Sequence, residues 1–108
     1  MSKQAKLPRI GAHTPTSGGM AKRSLGYAET IKAEVIQVFA SNPRGWAMPE
    51  PNPVADEEFR TKASTMDVTT YVHAPFLINL GSPTEATYKN SLNSTAYSLR
   101  RGKDIGAD

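Results

Sequence analysis

The residues with the most chemical capacity in this 108-residue chain are two histidines, His13 and His73, and the apolar pair Phe76 and Leu77 shortly after the second. Residues 69–72 are β-branched or aromatic, as strands prefer. Pro75 has no N–H to give a sheet ladder, so pairing should stop near Ala74 and leave His73 at the carboxyl end of a strand. Phe76 and Leu77 then fall where the chain leaves the sheet, and at least one of them should face solvent or a partner. An imidazole at such a place can bind a metal, but a catalytic zinc usually has three protein ligands and one open position. The chain has two histidines and no cysteine, and no carboxylate stands at the end of either histidine-bearing strand. On spacing alone, a hydrogen-bonded structural histidine is the simpler account of His73, and His13 is the weaker candidate of the two.

Gly18-Gly19 before a helix would let backbone amides approach a phosphate, although turn geometry explains two glycines as well. Arg44, in a proline-rich stretch, suits a phosphate or a groove. Trp46 beside it can stack on a ligand or pin the loop to the body, and pinning is the commoner use. No GxSxG, GxxxxGK or GxGxxG occurs, which removes the nucleophile elbow, the P-loop and the dinucleotide fingerprint.

The elements that must position these residues alternate. Residues 9–13 read as a short strand and lead into a Thr/Pro/Ser/Gly loop. Ser17 is expected to cap a helix with Ala21, Leu25, Ala28 and Ile31 on one face, ending near Lys32 or Ala33. Residues 35–39 are the clearest strand, near-continuously apolar. Prolines 43, 49, 51 and 53 exclude regular structure across residues 41–53 and imply a long functional loop carrying Asn42, Arg44 and Trp46. Asp56 or a neighbour should start a second helix, with Glu57 and Glu58 at its positive end and Phe59, Ala63 and Met66 facing inward. A strand over residues 69–74 follows. A third helix opens at Pro83 or Thr84, with Tyr88, Leu92, Ala96 and Leu99 as its apolar face. The order β-α-β-α-β-α argues for an α/β fold with parallel strands, whose carboxyl ends gather His13, Asn42, Arg44, His73 and Phe76 on one rim.

Thirteen Lys and Arg against ten Asp and Glu give a formal charge of +3. That is a mild preference for polyanions and falls short of a nucleic-acid signature. The absence of cysteine rules out a disulfide framework and fits an intracellular setting. Residues 1–8 form a polar leader with no apolar signal core, and no apolar run approaches a membrane span. A cytoplasmic protein without a membrane partner is therefore expected.

Taken together, Ile10-Gly11-Ala12-His13, Ser17-Gly18-Gly19, Asn42-Pro43-Arg44 with Trp46, and above all the run from His73 to Pro83 resemble the amino-terminal part of the endonuclease IV family. These are zinc-dependent apurinic/apyrimidinic endonucleases of DNA repair. The resemblance implies a (β/α)8 TIM barrel with a trinuclear zinc cluster at its carboxyl face, where metal-activated hydroxide cleaves the phosphodiester 5′ to an abasic site in double-stranded DNA. It implies that His73 is a metal ligand, that Arg44, Phe76 and Leu77 enter the minor groove and fill the gap in a kinked duplex, and that Asn42, Asn79, Gly18 and Gly19 belong to DNA-recognition loops. Phe76 stands where that family commonly has tyrosine, so the stacking face is kept and a hydroxyl is lost.

A barrel of this kind takes about 250 residues. Residues 9–108 are accordingly expected to be three successive β-α units of one incomplete barrel domain, with no catalytic residue and one metal ligand, inactive alone and monomeric as part of a full-length protein. Two other readings fit the same pattern. One is a metal-dependent, sugar isomerase-like barrel, which would bury Arg44, Phe76 and Leu77; the other is a small non-catalytic α/β interaction module.

Overall fold

Five residues form β2 (Val35–Phe39), and their burial alternates: Ile36 and Val38 are sealed, at 1% and 0% exposure, while Val35, Gln37 and Phe39 stay half-open. This is the period of a strand whose two faces meet different surroundings. In the computed structural model, which describes residues 7–108, β2 lies between β1 (Gly11–His13) and β3 (Thr69–His73), both parallel to it. Register pairs His13 with Gln37, Gln37 with Tyr71, and Phe39 with His73. Gly11 permits the close approach of β1, because a β-carbon there would lie 1.5 Å from the carbonyl oxygen of Val35.

The helices α1 (Leu25–Ile31), α2 (Pro53–Met66) and α3 (Glu85–Asp104) alternate with the strands. Leu25, Ala28, Phe59, Ala63 and Ile105 pack with Ile36 and Val38 into the core, so the helices cover one face of the sheet and leave the other open. A one-sided wall of parallel strands backed by helices is the layering of a barrel segment. None of the helices among the described residues is long and apolar enough to cross a membrane. Of the polar leader, residues 1–6 lie outside the described residues.

The three helices end alike. Lys32, Asp67 and Gly106 adopt positive φ, and the residue after each returns its N–H to the carbonyl five positions back, as Ala33 does to Ala28, Val68 to Ala63 and Ala107 to Gly102. This double-bonded stop satisfies the terminal carbonyls and aims the chain at the next strand position. Glu34 N–H then donates to Ile10, the residue before β1, Thr69 to Glu34, the residue before β2, and Asp108 to Thr70 within β3.

Three expectations need correction. Ser17 does not cap the first helix. A π-helical segment (Met20–Ser24) precedes α1 behind Gly19, without a side-chain cap, and it is Ser24 that ties the loop down by donating to the Pro15 carbonyl at 2.6 Å. The second helix begins at Pro53, ahead of Asp56. Asn52 accepts from the N–H groups of Val54 and Ala55, and proline at the first helical position loses no hydrogen bond. Replacing Asn52 by alanine should lower stability by about 1 kcal/mol, measured by urea denaturation; an unchanged midpoint would show that the cap is dispensable.

The third correction concerns α3. Its buried face is Ser91, Ser94, Tyr97, Ser98, Arg101 and Gly102, whereas of the expected apolar face Tyr88, Leu92 and Leu99 are exposed and Ala96 is half-buried. Serine and glycine let the helix lie close to its neighbours. Arg101 fixes the rotation through a two-pronged ion pair with Asp56 at 2.7 and 2.8 Å, both side chains nearly sealed, and a further bond to Asp104 at 3.1 Å. Tyr97 adds a bond from its hydroxyl to the Pro49 carbonyl at 2.7 Å. Burial raises the tyrosine pKa, so the hydroxyl remains a donor.

Candidate nucleic-acid interface and metal ligand

The open face of the sheet presents its polar and aromatic residues in rows. His13 and Gln37 share one row with Tyr71, and Phe39 shares the next with His73. The rings close up at the carboxyl ends. Phe39 is 4.5 Å from His13 and 4.9 Å from His73 between ring centroids, and the two imidazoles are 6.2 Å apart. Phe76 folds back edge-on against both Phe39, at 5.2 Å, and His73, at 5.7 Å.

Each imidazole is held through one nitrogen. His73 Nδ1 lies 2.6 Å from the Ala74 carbonyl oxygen, which can only accept, so Nδ1 is the donor and Nε2 is the nitrogen left for another partner. This is the anchoring that metal-ligating histidines use, and it fits the chemistry of a cation ligand. His13 Nδ1 lies 3.3 Å from Gln37 Oε1 in the same sense. Among the described residues no three His, Asp or Glu side chains cluster in a way that could hold a metal.

Around this centre stand the loop residues. Arg44 is exposed, and Phe76 and Leu77 are 57% and 39% exposed, large apolar groups left partly in water where the chain leaves β3. Trp46 is half-buried. The loops after β2 and β3 are joined by the Phe76 N–H donating to the Pro43 carbonyl at 2.8 Å, so Arg44 and the apolar pair belong to one connected rim. Asn42 Oδ1 accepts from the Arg44 N–H, and Asn79 Oδ1 from the Gly81 N–H. Both carboxamides shape their own turns. Gly18 and Gly19 sit at φ 92° and 108° with open space around them, a conformation that side-chain-bearing residues rarely adopt.

Gln37 and Phe39 join the site without having stood out in the sequence. Their only local signal is position: they fall on alternate residues of β2, on the side the registers share with His13 and His73.

No family model matches the chain. It is 52% identical over 98 residues to a probable endonuclease 4 of Streptomyces avermitilis, covering 91% of this chain and 32% of that protein. It is 51% identical over 108 residues to the probable endonuclease 4 of Streptomyces coelicolor, with 98% and 37% covered. In structure it is similar to crystalline endonuclease IV from Thermus thermophilus, with a TM-score of 0.86 and 29% identity over 93% of this chain and 38% of the other. The chain therefore spans about a third of the length of the curated relatives it matches, and its three β-α units correspond to part of a TIM barrel.

Proposed function

We propose, for a chain that matches the amino-terminal portion of endonuclease 4 proteins along nearly its whole length, that it supplies the damage-recognising rim of a DNA repair endonuclease. The reaction is hydrolysis of the phosphodiester 5′ to an abasic site. The observation that carries this reading is the partly exposed Phe76-Leu77 pair beside an imidazole anchored through Nδ1. An abasic site lacks one base from the stack, and an apolar side chain inserted there replaces part of the lost stacking. Arg44, exposed on the adjoining loop, suits the negative potential of the minor groove. Gly18 and Gly19 offer backbone to the phosphates, while Asn42 and Asn79 hold their loops in shape.

His73 would serve as a ligand through Nε2, with its ring fixed by Ala74. Zinc ions, when bound, supply charge that polarises the phosphate and makes water more acidic. The remaining ligands of a cluster have no counterpart among the described residues. A sugar isomerase-like site is disfavoured because it would enclose Arg44, Phe76 and Leu77, which are exposed here.

Fluorescence anisotropy with a duplex carrying a tetrahydrofuran abasic analogue tests the reading. The chain should bind it more tightly than the intact duplex, with affinity falling as salt rises, and should nick neither. Equal affinity for both duplexes would sink the recognition role. Zinc-dependent, EDTA-sensitive nicking by the chain would show that its own residues complete a catalytic site.

A further inference from the structure

We propose that Lys22 and Arg23 line an outer groove that seats a backbone phosphate of duplex DNA to one side of the lesion. The proposal rests on the reading above for the kind of partner, and extends it from the wedge to the flanking duplex.

The groove runs along α1 and encloses about 490 Å3 between Ser17, Gly18, Lys22, Arg23, Gly26 and Tyr27. Ser17 and Gly18 belong to the loop that leaves the carboxyl end of β1, and the strands are parallel, so the mouth opens on the rim that also carries Arg44, Phe76 and Leu77. None of the rings packed around His73 lines it. It is a contact point separate from the wedge. The space is open at Gly18 and Gly26, where even an added β-carbon would have nothing within 4 Å.

Charge sets this groove apart. Two cations line it and no carboxylate does. The groove on the other side of Lys22 carries Glu50, Asp56 and Glu58, and the one beside residues 48–51 carries Glu50 and Asp104. An anion is therefore drawn most strongly to the first. Lys22 and Arg23 are exposed, and among the described residues neither makes an ion pair, so their charge is open to a ligand. Consecutive residues of an α-helix point about 100° apart. These two fall in the π-helical segment instead, whose wider turn narrows that angle and lets neighbouring cations address one groove.

The donor set suits a phosphodiester. Arginine offers a planar fork to two phosphate oxygens, and lysine adds a point charge. The hydroxyls of Ser17 and Tyr27 are further donors, of the kind that position a protein on DNA without reading its sequence. Such a contact adds affinity for any duplex and fixes its path over the rim. The wedge then distinguishes the damaged one.

The test repeats the anisotropy titrations over a range of salt with Lys22→Gln plus Arg23→Gln. Affinity for abasic and intact duplex should fall by the same factor, on the order of tenfold, and the slope of log affinity against log salt should become shallower by about 1. Arg100→Gln plus Lys103→Gln removes the same charge from exposed positions on α3, after which Asp108 reaches Thr70 near the amino end of β3, on the opposite rim. That control should leave both quantities nearly unchanged. Amide spectra confirm that both variants are folded. Unchanged affinity and slope in the Lys22 and Arg23 variant overturn the proposal. So does an equal loss in the control, which would leave net charge as the cause, or a loss confined to the abasic duplex, which would place these residues at the lesion. A parent chain that binds neither duplex refutes it too. Abasic preference is read from the parent alone, so the recognition role can fail while the groove stands, and the reverse.

Discussion

Replacing Arg101 by leucine should cost the fold about 3–5 kcal/mol, because it strands the Asp56 carboxylate in a buried position without its hydrogen-bonded counter-charge. Asp56 and Arg101 expose only 9% and 10% of their side chains, and the guanidinium supplies the two bonds from Arg101 to the Asp56 carboxylate. Small domains are stable by about 5–15 kcal/mol in total, so the loss should be plain in the urea midpoint. The double variant Asp56→Leu with Arg101→Leu should recover most of it, since a pair replaced by apolar groups leaves no orphaned charge. A loss below about 1 kcal/mol in the single variant would show that water reaches the carboxylate after all.

The same pair sets a dependence on acid. Hydrogen bonds from Arg101 hold the Asp56 carboxyl below its ordinary pKa of 3.8, against the opposing effect of burial. A depressed carboxyl contributes stability above its unfolded value and loses it as pH falls through the folded one. The parent should therefore weaken when taken below the ordinary carboxylate range. In Arg101→Leu burial is opposed only by the weaker attraction of Arg60 and favours the neutral acid, so the gap between variant and parent should narrow on acidification.

The second large effect concerns binding. Changing Phe76 and Leu77 together to alanine should weaken affinity for abasic duplex by roughly 10- to 100-fold, as expected from losing about 1–3 kcal/mol of stacking and wedge contact. Affinity for intact duplex should change little, since no gap is there to fill. Anisotropy on both duplexes reads this directly, and equal losses on the two would point to damage to the loop rather than to the wedge. Both residues are partly exposed, although the Phe76 ring also rests on Phe39 and His73. Phe76→Leu with Leu77 intact is the milder companion, and it should fall between parent and double variant.

Much of this architecture is legible along the chain. The second strand reads directly from its apolar run, with bounds that match the structure. The third closes one residue earlier than Pro75 alone suggests, at His73. The helix after the proline-rich loop begins earlier than its acidic residues imply, because the decisive signal is Asn52 followed by Pro53. The facing of α3 is the instructive failure. Its apolar stripe and its serine-rich stripe have nearly the same helical period, and hydrophobicity selects the former. The choice is made instead by Asp56, 45 residues away, which no local pattern connects to Arg101. The same holds for the site: His13 and His73 approach only because register sets three strands side by side, and the parts played by Gln37 and Phe39 follow from that register.

The repeated helix ending has a bearing on how such a chain is made. Strand order in space follows strand order in sequence, and each turn out of a helix delivers a backbone N–H to the amino-terminal end of the strand before it, at Ile10, Glu34 or Thr70. A polypeptide leaving the ribosome can therefore build the wall course by course, because every finished unit is the template for its successor and none must wait for a distant segment to arrive.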